Sequence, residues 1–172
     1  MRLPRLAALA LATTGLVAAC GGGDGGGGGD GAAGTGATPA EFSAPVVGGE
    51  GELASASLEG RDTVLWFWAP WCTTCRAEAD DVVDAAAALD GEVEIIGVAG
   101  RGEVPEMEGF VADTGTGGLT HVADTDGAIW SSYGVVTQPA FAFLDDSGEV
   151  EVVVGSLGRD ALVERMDALA AA

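Results

Sequence analysis

Continuous apolar runs and runs with helical periodicity alternate along the chain from residue 41 onward. Residues 63–69 read TVLWFWA and are bounded by Asp62 and Pro70. An unbroken apolar run of this length is typical of a central strand that is covered on both faces. Residues 93–99 have the same character, so the pattern predicts two buried strands of one sheet.

Helical periodicity lies between these two strands. From residue 72 to residue 89, apolar residues recur every three or four positions and form one face, as in a helix packed on a core. Acidic residues, including Asp80 and Asp84, fall on the opposite side. The pattern also predicts helices over residues 103–113 and 160–170, a short helical segment over 126–133, a hairpin of 141–144 with 150–154, and an N-terminal hairpin of 45–47 with 53–58.

The order of these elements predicts the fold class. After the first hairpin it reads β-α-β-α-β-β-α, which requires a mixed central sheet with helices on both faces. We therefore expect one α/β domain with an N-terminal β-hairpin over residues 41–172. His121 stands between Thr120 and Val122 in a short strand of this domain. A lone histidine is a poor metal site, so we expect His121 to have a structural role.

The first 40 residues have a different composition. Arg2 and Arg5 precede an apolar stretch over residues 6–17, which is too short for a membrane span and typical of an export signal. The stretch ends in LVAAC, residues 16–20, which resembles the lipobox of bacterial lipoproteins. The resemblance implies that residues 1–19 are a signal peptide and that Cys20 becomes the lipidated first residue. The alternative is an ordinary signal peptide with a chance cysteine.

A glycine-rich segment separates this signal from the domain. Residues 20–40 begin with Cys20 and continue mostly with Gly, together with Ala, Asp and Thr. Such a composition cannot bury enough apolar surface to offset the entropy lost on ordering. We expect a flexible tether with a reach of about 20–25 Å, which would hold the domain just off a membrane.

Charge narrows the choice of partners. The chain has 27 acidic and 7 basic residues and a formal net charge of −20. Nucleic acids and anionic lipid headgroups require a basic surface, so neither is an expected partner. Trp66, Phe67 and Trp68 are expected to pack in the core rather than to bind a cofactor, and no cofactor is predicted.

Two of the three cysteines carry the chemistry that the sequence predicts. Cys72 and Cys75 are separated by two residues, where a buried strand runs into a helix. The first-turn N–H groups and the helix dipole stabilise a thiolate on Cys72, and Cys75 is within reach to resolve a mixed disulfide. A CxxC pair can also be half of a zinc site, but zinc needs two more ligands, and His121 is the only soft donor left in the domain. The motif therefore favours thiol–disulfide exchange.

The residues around this pair resemble a known family. Residues 67–78, FWAPWCTTCRAE, are similar to the active-site motif of the TlpA/DsbE-like thioredoxin proteins. Residues 127–146, GAIWSSYGVVTQPAFAFLDD, are similar to the segment that carries the family's cis-proline loop. The similarity spans most of residues 41–172 and is greatest to the secreted DsbE/DsbF-like proteins of actinobacteria. It implies a thioredoxin-like fold and an extracytoplasmic thiol:disulfide oxidoreductase.

The resemblance also implies roles for particular residues. It implies an exposed attacking Cys72, a buried resolving Cys75 and a cis peptide bond at Pro139. The backbone around Gln138 would pair with an extended substrate. Trp71, beside the reactive cysteine, would border the same substrate surface.

One departure from thioredoxins concerns the proton of the second thiol. Thioredoxins carry a buried aspartate six residues before the first cysteine, and this chain has Trp66 there. Glu78 stands three residues after Cys75, on the same helical edge, and is a candidate substitute. The alternative is that Glu78 is a solvated helix residue.

Several functions are compatible with this pattern. The leading hypothesis is oxidation of the thiols of exported proteins, with recycling by a membrane redox partner, in a protein anchored to the cell membrane through Cys20. The nearest alternative is a reductase of the same fold, which would serve cytochrome c maturation or another exported acceptor. A copper-binding chaperone that uses Cys72, Cys75 and His121 is disfavoured, because such relatives space their cysteines by three residues and lack the preceding tryptophan. A peroxidase is disfavoured because its proline- and threonine-bearing active-site loop is missing.

Overall fold

The centre of the fold is a six-stranded mixed sheet. The computed structural model describes residues 34–37, as backbone only, and residues 41–172, so the predicted signal peptide and Cys20 lie outside the described residues. The strands are β1 (Gly34–Ala37), β2 (Ser43–Pro45), β3 (Glu52–Ala54), β4 (Thr63–Trp68), β5 (Glu94–Gly100), β6 (Thr120–Asp124), β7 (Ala140–Leu144) and β8 (Val150–Val154). The helices are α1 (Thr73–Ala88), α2 (Val104–Thr114), α3 (Ala128–Ser132) and α4 (Arg159–Leu169).

The strand order explains why the sheet is mixed. It runs β1-β8-β7-β4-β5-β6, while β2 and β3 form a separate hairpin. β4, β5 and β6 are parallel neighbours joined by the helical crossovers α1 and α2. β7 is antiparallel to β4, and the tight turn after β7 returns β8 antiparallel to it. The mixed sheet predicted from the order of elements is confirmed.

β4 is covered on both faces, as its unbroken apolar sequence predicts. All six of its residues are buried. Val64, Trp66 and Trp68 belong to a cluster with apolar residues of α1, α2 and α4. Leu65 and Phe67 belong to a second cluster, on the opposite face, with residues of α3 and β2. Helices therefore cover both faces, and three of the four lie on the face that carries α1.

The register of β4 with its neighbours positions the site. Trp68 is level with Ala99 near the carboxyl end of β5, and Phe67 is level with Ala140 at the beginning of β7. The loops that follow β4 and β5 and the loop that precedes β7 therefore meet at one edge of the sheet. This is the edge at which loops of parallel-stranded α/β sheets commonly bind ligands.

Three elements differ from the expectations. Residues 34–37, which composition assigned to the tether, form β1 and pair with β8, because backbone hydrogen bonds to an open sheet edge need no apolar side chains. β6 is a full strand of the main sheet, which the predicted element order omitted. The second strand of the N-terminal hairpin ends at Ala54, since Ser55–Leu58 turns into a 3-10 helix. Within the described residues, no helix is both long enough and apolar enough to cross a membrane.

Candidate active site

A disulfide between Cys72 and Cys75 lies at the junction of β4 and α1. The backbone N–H of Cys72 donates to the carbonyl oxygen of Ala69 at 3.0 Å, which closes the turn after the strand. Cys72 is the N-cap of α1, and its Sγ accepts a hydrogen bond from the N–H of Cys75 at 3.1 Å. The two Cα atoms are 5.3 Å apart. Because the positive end of the helix dipole lies at this sulfur, the geometry favours negative charge on Cys72 once the disulfide is reduced.

The two cysteines are both buried in this oxidised form. Cys75 has no exposed surface and Cys72 is only 5% exposed, so the expectation of an exposed Cys72 is wrong here. Cys72 belongs to the same hydrophobic cluster as Trp68, and its sulfur is bonded inward to Cys75. Trp71, in contrast, is 58% exposed. The aromatic surface offered beside the disulfide is thus that of Trp71.

Glu78 is buried on α1, one turn after Cys75. It is 3% exposed, so the alternative of a solvated helix residue is wrong. Its Oε1 accepts a hydrogen bond from Nε1 of Trp66 at 2.8 Å, and its Oε2 accepts one from the hydroxyl of Ser156 at 2.5 Å. Burial raises the pKa of Glu78 above its ordinary value of 4.5, although both side-chain hydrogen bonds and one with the backbone of Leu157 oppose that shift.

Trp66 has a contact that sequence reasoning missed. It packs in the core as expected, but its indole N–H also holds Glu78. The strand position at which thioredoxins have a carboxylate therefore carries a donor, and the carboxylate comes from α1. Ser156 completes the arrangement from the loop after β8, 78 residues away along the chain. No local sequence signal pairs these residues.

The loop before β7 carries the predicted cis proline. The peptide bond between Gln138 and Pro139 is cis, which confirms the expectation. The carbonyl oxygen of Pro139 accepts a hydrogen bond from the N–H of Gly155 at 2.9 Å. Since Ala140 pairs with Phe67 in an antiparallel register, Pro139 comes level with the end of β4, immediately before the cysteine motif.

Arg101, just after β5, joins the two loops and was not predicted. Its carbonyl oxygen accepts a hydrogen bond from Nε1 of Trp71 at 2.8 Å. Its guanidinium donates to the carbonyl oxygen of Val136 at 2.6 Å and to Oε1 of Gln138 at 3.2 Å. The backbone of Arg101 has a φ of 57°, a left-handed conformation that costs a non-glycine residue about 1–2 kcal/mol. The contacts offset this cost, and neither they nor the φ angle can be read from a single sequence.

His121 lies apart from the cysteines in the core. It is 2% exposed, and its Nδ1 accepts a hydrogen bond from Nε1 of Trp68 at 3.2 Å. Nε2 therefore carries the proton and donates to the carbonyl oxygen of Thr116 at 3.0 Å. Burial lowers the pKa of His121 below 6.5. Among the described residues, no group of three or more His, Cys, Asp or Glu side chains is arranged to hold a metal ion.

Comparison with known proteins agrees with this geometry. Residues 35–153 match the AhpC/TSA family. The chain is 38% identical over 132 residues to the soluble secreted antigen MPT53 of Mycobacterium tuberculosis, and the match covers 75% of each chain. Two solved structures are also similar to this one. DsbF of Mycobacterium tuberculosis has 46% identity and a TM-score of 0.71, over 74% of this chain and 94% of that chain.

The second similar structure is a secreted Mycobacterium tuberculosis disulfide oxidoreductase homologous to E. coli DsbE. It has 38% identity and a TM-score of 0.68, over 74% of this chain and 96% of that chain. The fold agrees with these structures, and the Cys72–Cys75 disulfide agrees with the name disulfide oxidoreductase. The chain belongs to the AhpC/TSA family and is a thioredoxin-fold thiol:disulfide oxidoreductase of the DsbE/DsbF-like kind.

Proposed function

We propose that the protein oxidises the thiols of exported proteins outside the cytoplasm. The observation that carries this proposal is the position of Cys72 as the N-cap of α1, with the N–H of Cys75 directed at its sulfur. This geometry stabilises a Cys72 thiolate, and so the reduced form of the pair. A disulfide whose reduced form is stabilised is an oxidant. MPT53 is named a secreted protein, which supports the same compartment.

The reaction is a two-electron exchange in two steps. A substrate thiolate attacks Sγ of Cys72, so that a mixed disulfide forms and the bond to Cys75 breaks. The second substrate thiolate then attacks the substrate sulfur and releases the thiolate of Cys72. The substrate has lost two electrons and two protons and holds a disulfide, and Cys72 and Cys75 hold the electrons as thiols or thiolates. A membrane redox partner would then reoxidise the pair.

Glu78 handles the proton of Cys75 in this scheme. The carboxyl group lies one turn along α1 from Cys75, is held by Trp66 and Ser156, and has its pKa raised by burial. A carboxyl group with a raised pKa can give a proton to the departing Cys75 thiolate and take it back when the disulfide re-forms.

The substrate lies across the edge where the three loops meet. Trp71 offers an exposed aromatic surface beside Cys72. Gln138 and Pro139 lie in the loop before β7 at the same edge, and a substrate strand would pair with their backbone. These three residues are the proposed binding surface.

Trapping of mixed disulfides tests this assignment. Cys75→Ser, with Cys72 first converted to a mixed disulfide with thionitrobenzoate, should accumulate mixed disulfides with reduced exported proteins. A substrate thiolate displaces thionitrobenzoate from Cys72, and no Cys75 thiolate is present to reverse the step. Cys72→Ser is the matched control and should trap nothing. Equal trapping by the two variants, or none by either, would contradict the roles proposed for the cysteines.

Anchoring is the second part of the proposal. We infer that the residues before 20 are removed and that Cys20 is lipidated, which holds the domain on the cell membrane. The lipobox-like sequence supports this. Cys20→Ala should abolish labelling by a radioactive fatty acid and release the protein from membranes without detergent. Wild-type protein that is unlabelled and soluble would contradict the anchor.

A reductase is the remaining candidate, and one observation favours it. Glu78 is buried near the disulfide, and its charged form would disfavour a thiolate. Measurement of the reduction potential separates the two directions. The copper chaperone loses support, because both ring nitrogens of His121 are hydrogen-bonded in the core.

A further inference from the structure

Arg101 differs from the other described arginines in its partners. In the part of the chain that the structure describes, it forms no ion pair with a carboxylate. The four arginines that do are Arg61 with Glu94, Arg76 with Asp113, Arg159 with Asp84 and Arg165 with Glu151. The guanidinium of Arg101 is therefore a positive charge with no carboxylate oxygen within 4.0 Å among the described residues.

The position of this charge is at the proposed substrate surface. Its carbonyl oxygen holds the indole of Trp71, and its side chain holds Gln138 and the backbone of Val136. These residues belong to the loops that precede α1 and β7, which meet at the same edge of the sheet. A substrate strand that reaches Cys72 along Gln138 must therefore pass Arg101.

A cleft opens beside the same guanidinium. It has a volume of about 290 Å³, and its walls include Trp130, Val135 and Val136. The guanidinium lies over the ring of Trp130, 4.9 Å from its centre, and Val136 is 76% exposed. Largely apolar walls with one cation among the lining residues suit a side chain that has methylene groups and a terminal anion.

The guanidinium has hydrogen-bonding capacity to spare. A guanidinium carries five N–H donors, and two of those of Arg101 are used in the contacts with Gln138 and Val136. The remaining donors can bind a carboxylate, which is the anion that fits a guanidinium best among side chains. A lysine or arginine of a substrate would instead be repelled.

We propose that Arg101 and this cleft form a specificity subsite for an acidic side chain, Asp or Glu, next to the reactive cysteine of the substrate. The inference rests on the proposed function, because it assumes that polypeptide thiols react at Cys72. Arg101 contacts the substrate but takes no part in the electron transfer. It is a specificity-determining residue.

Single-turnover oxidation of matched peptides tests the subsite. Three dithiol peptides are compared. They differ only in the residue at the positions flanking the attacking cysteine, which is Asp in the first, Asn in the second and Lys in the third. Each is mixed with stoichiometric oxidised protein, quenched with acid, alkylated and quantified by mass spectrometry. Each rate is divided by the rate of the same peptide with 2-hydroxyethyl disulfide, an uncharged disulfide, which removes the effect of the flanking charge on the peptide thiol itself.

The normalised Asp-to-Asn rate ratio is the readout. For the wild type we expect a ratio of about two to five, which corresponds to one partly exposed ion pair. The normalised rate of the Lys peptide should be lower than that of the Asn peptide. Arg101→Gln should bring the ratio to one, while Arg101→Lys should keep part of it. Arg165→Gln removes the same charge from α4, where Arg165 pairs with Glu151 and does not line the cleft, and should leave the ratio unchanged.

Other outcomes overturn the inference in distinguishable ways. A ratio of one in the wild type, or a ratio that survives Arg101→Gln, removes the subsite and leaves the proposed function intact. Failure of the wild type to oxidise any peptide removes the proposed function itself. If Arg101→Gln does not fold, the wild type decides alone. Its ratio should fall toward one between about 0.1 and 1 M salt, and a ratio that does not change with salt contradicts an ion pair.

Discussion

Replacing Glu78 by Gln separates the charge of this side chain from its hydrogen bonds. The carboxylate accepts one bond from Trp66 and one from Ser156. The carbonyl oxygen of a glutamine can still accept from the indole N–H, and its NH₂ group can donate to the serine hydroxyl, which can rotate to accept. The variant therefore keeps the contacts with Trp66 and Ser156 and loses the ionisable group.

The sign of the stability change follows from burial. The folded-state pKa of Glu78 is raised above the ordinary value of 4.5, chiefly by desolvation, so the folded protein binds this proton more tightly than the unfolded chain does. Protonated Glu78 contributes its full stabilisation to the wild type below pH 4.5. This contribution to the free energy of unfolding is lost as the pH rises through the folded-state pKa. Glu78→Gln does not titrate, so its stability relative to the wild type should rise over this window, by at most about 1.4 kcal/mol per pH unit.

Urea unfolding of the oxidised protein at a series of pH values measures this difference directly. The same variants should be tested for the pH dependence of the step in which Cys75 resolves a mixed disulfide, which Glu78→Gln should slow and flatten. Glu164→Gln on α4 is the matched control, because Glu164 is exposed and the chemical change is identical. If Glu78→Gln and Glu164→Gln show the same pH dependence of stability and the same rate profile, the proton-transfer role is refuted.

Three further predictions follow from the core and the cysteine pair. Burial lowers the pKa of His121, so the stability of the wild type should fall as the pH drops below about 6.5. His121→Gln should remove that loss, which urea unfolding from pH 5 to 8 measures. Gly97→Ala would place a Cβ 2.7 Å from Nε1 of Trp68 and against the ring of His121. Calorimetry should therefore show a free energy of unfolding lower by about 1–3 kcal/mol. An unchanged melting temperature would contradict this packing. In the reduced protein, Cys72 should be alkylated before fully buried Cys75, and equal rates by mass spectrometry would contradict the asymmetry.

Much of the fold could be predicted because its signals are local. The unbroken apolar run of β4 predicted a central strand, and the three- and four-residue repeat after Cys72 predicted α1, with bounds that differ by one residue at each end. β1 could not be predicted in the same way, since it is held by backbone pairing to β8 and its sequence, GTGA, has no apolar pattern.

The site shows the same division between local and distant signals. The cysteine pair was predicted from its spacing, and the cis bond before Pro139 was predicted from the resemblance to the TlpA/DsbE-like proteins. The burial of Glu78 was not decided by its helical position, because its partner Ser156 follows β8 in a different part of the chain. Arg101 gave no signal, because its importance lies in contacts with Val136 and Gln138 that exist only in the folded protein.

The reduction potential of the Cys72–Cys75 pair shows whether the protein acts as an oxidant or as a reductant. It is measured by equilibrating the protein with glutathione redox buffers, trapping free thiols with acid and a maleimide, and counting the alkylated fraction. Because the N-terminus of α1 stabilises the Cys72 thiolate, we predict a potential above about −200 mV, on the oxidising side. A potential near the thioredoxin value of about −270 mV would contradict it and assign the protein to the reductases.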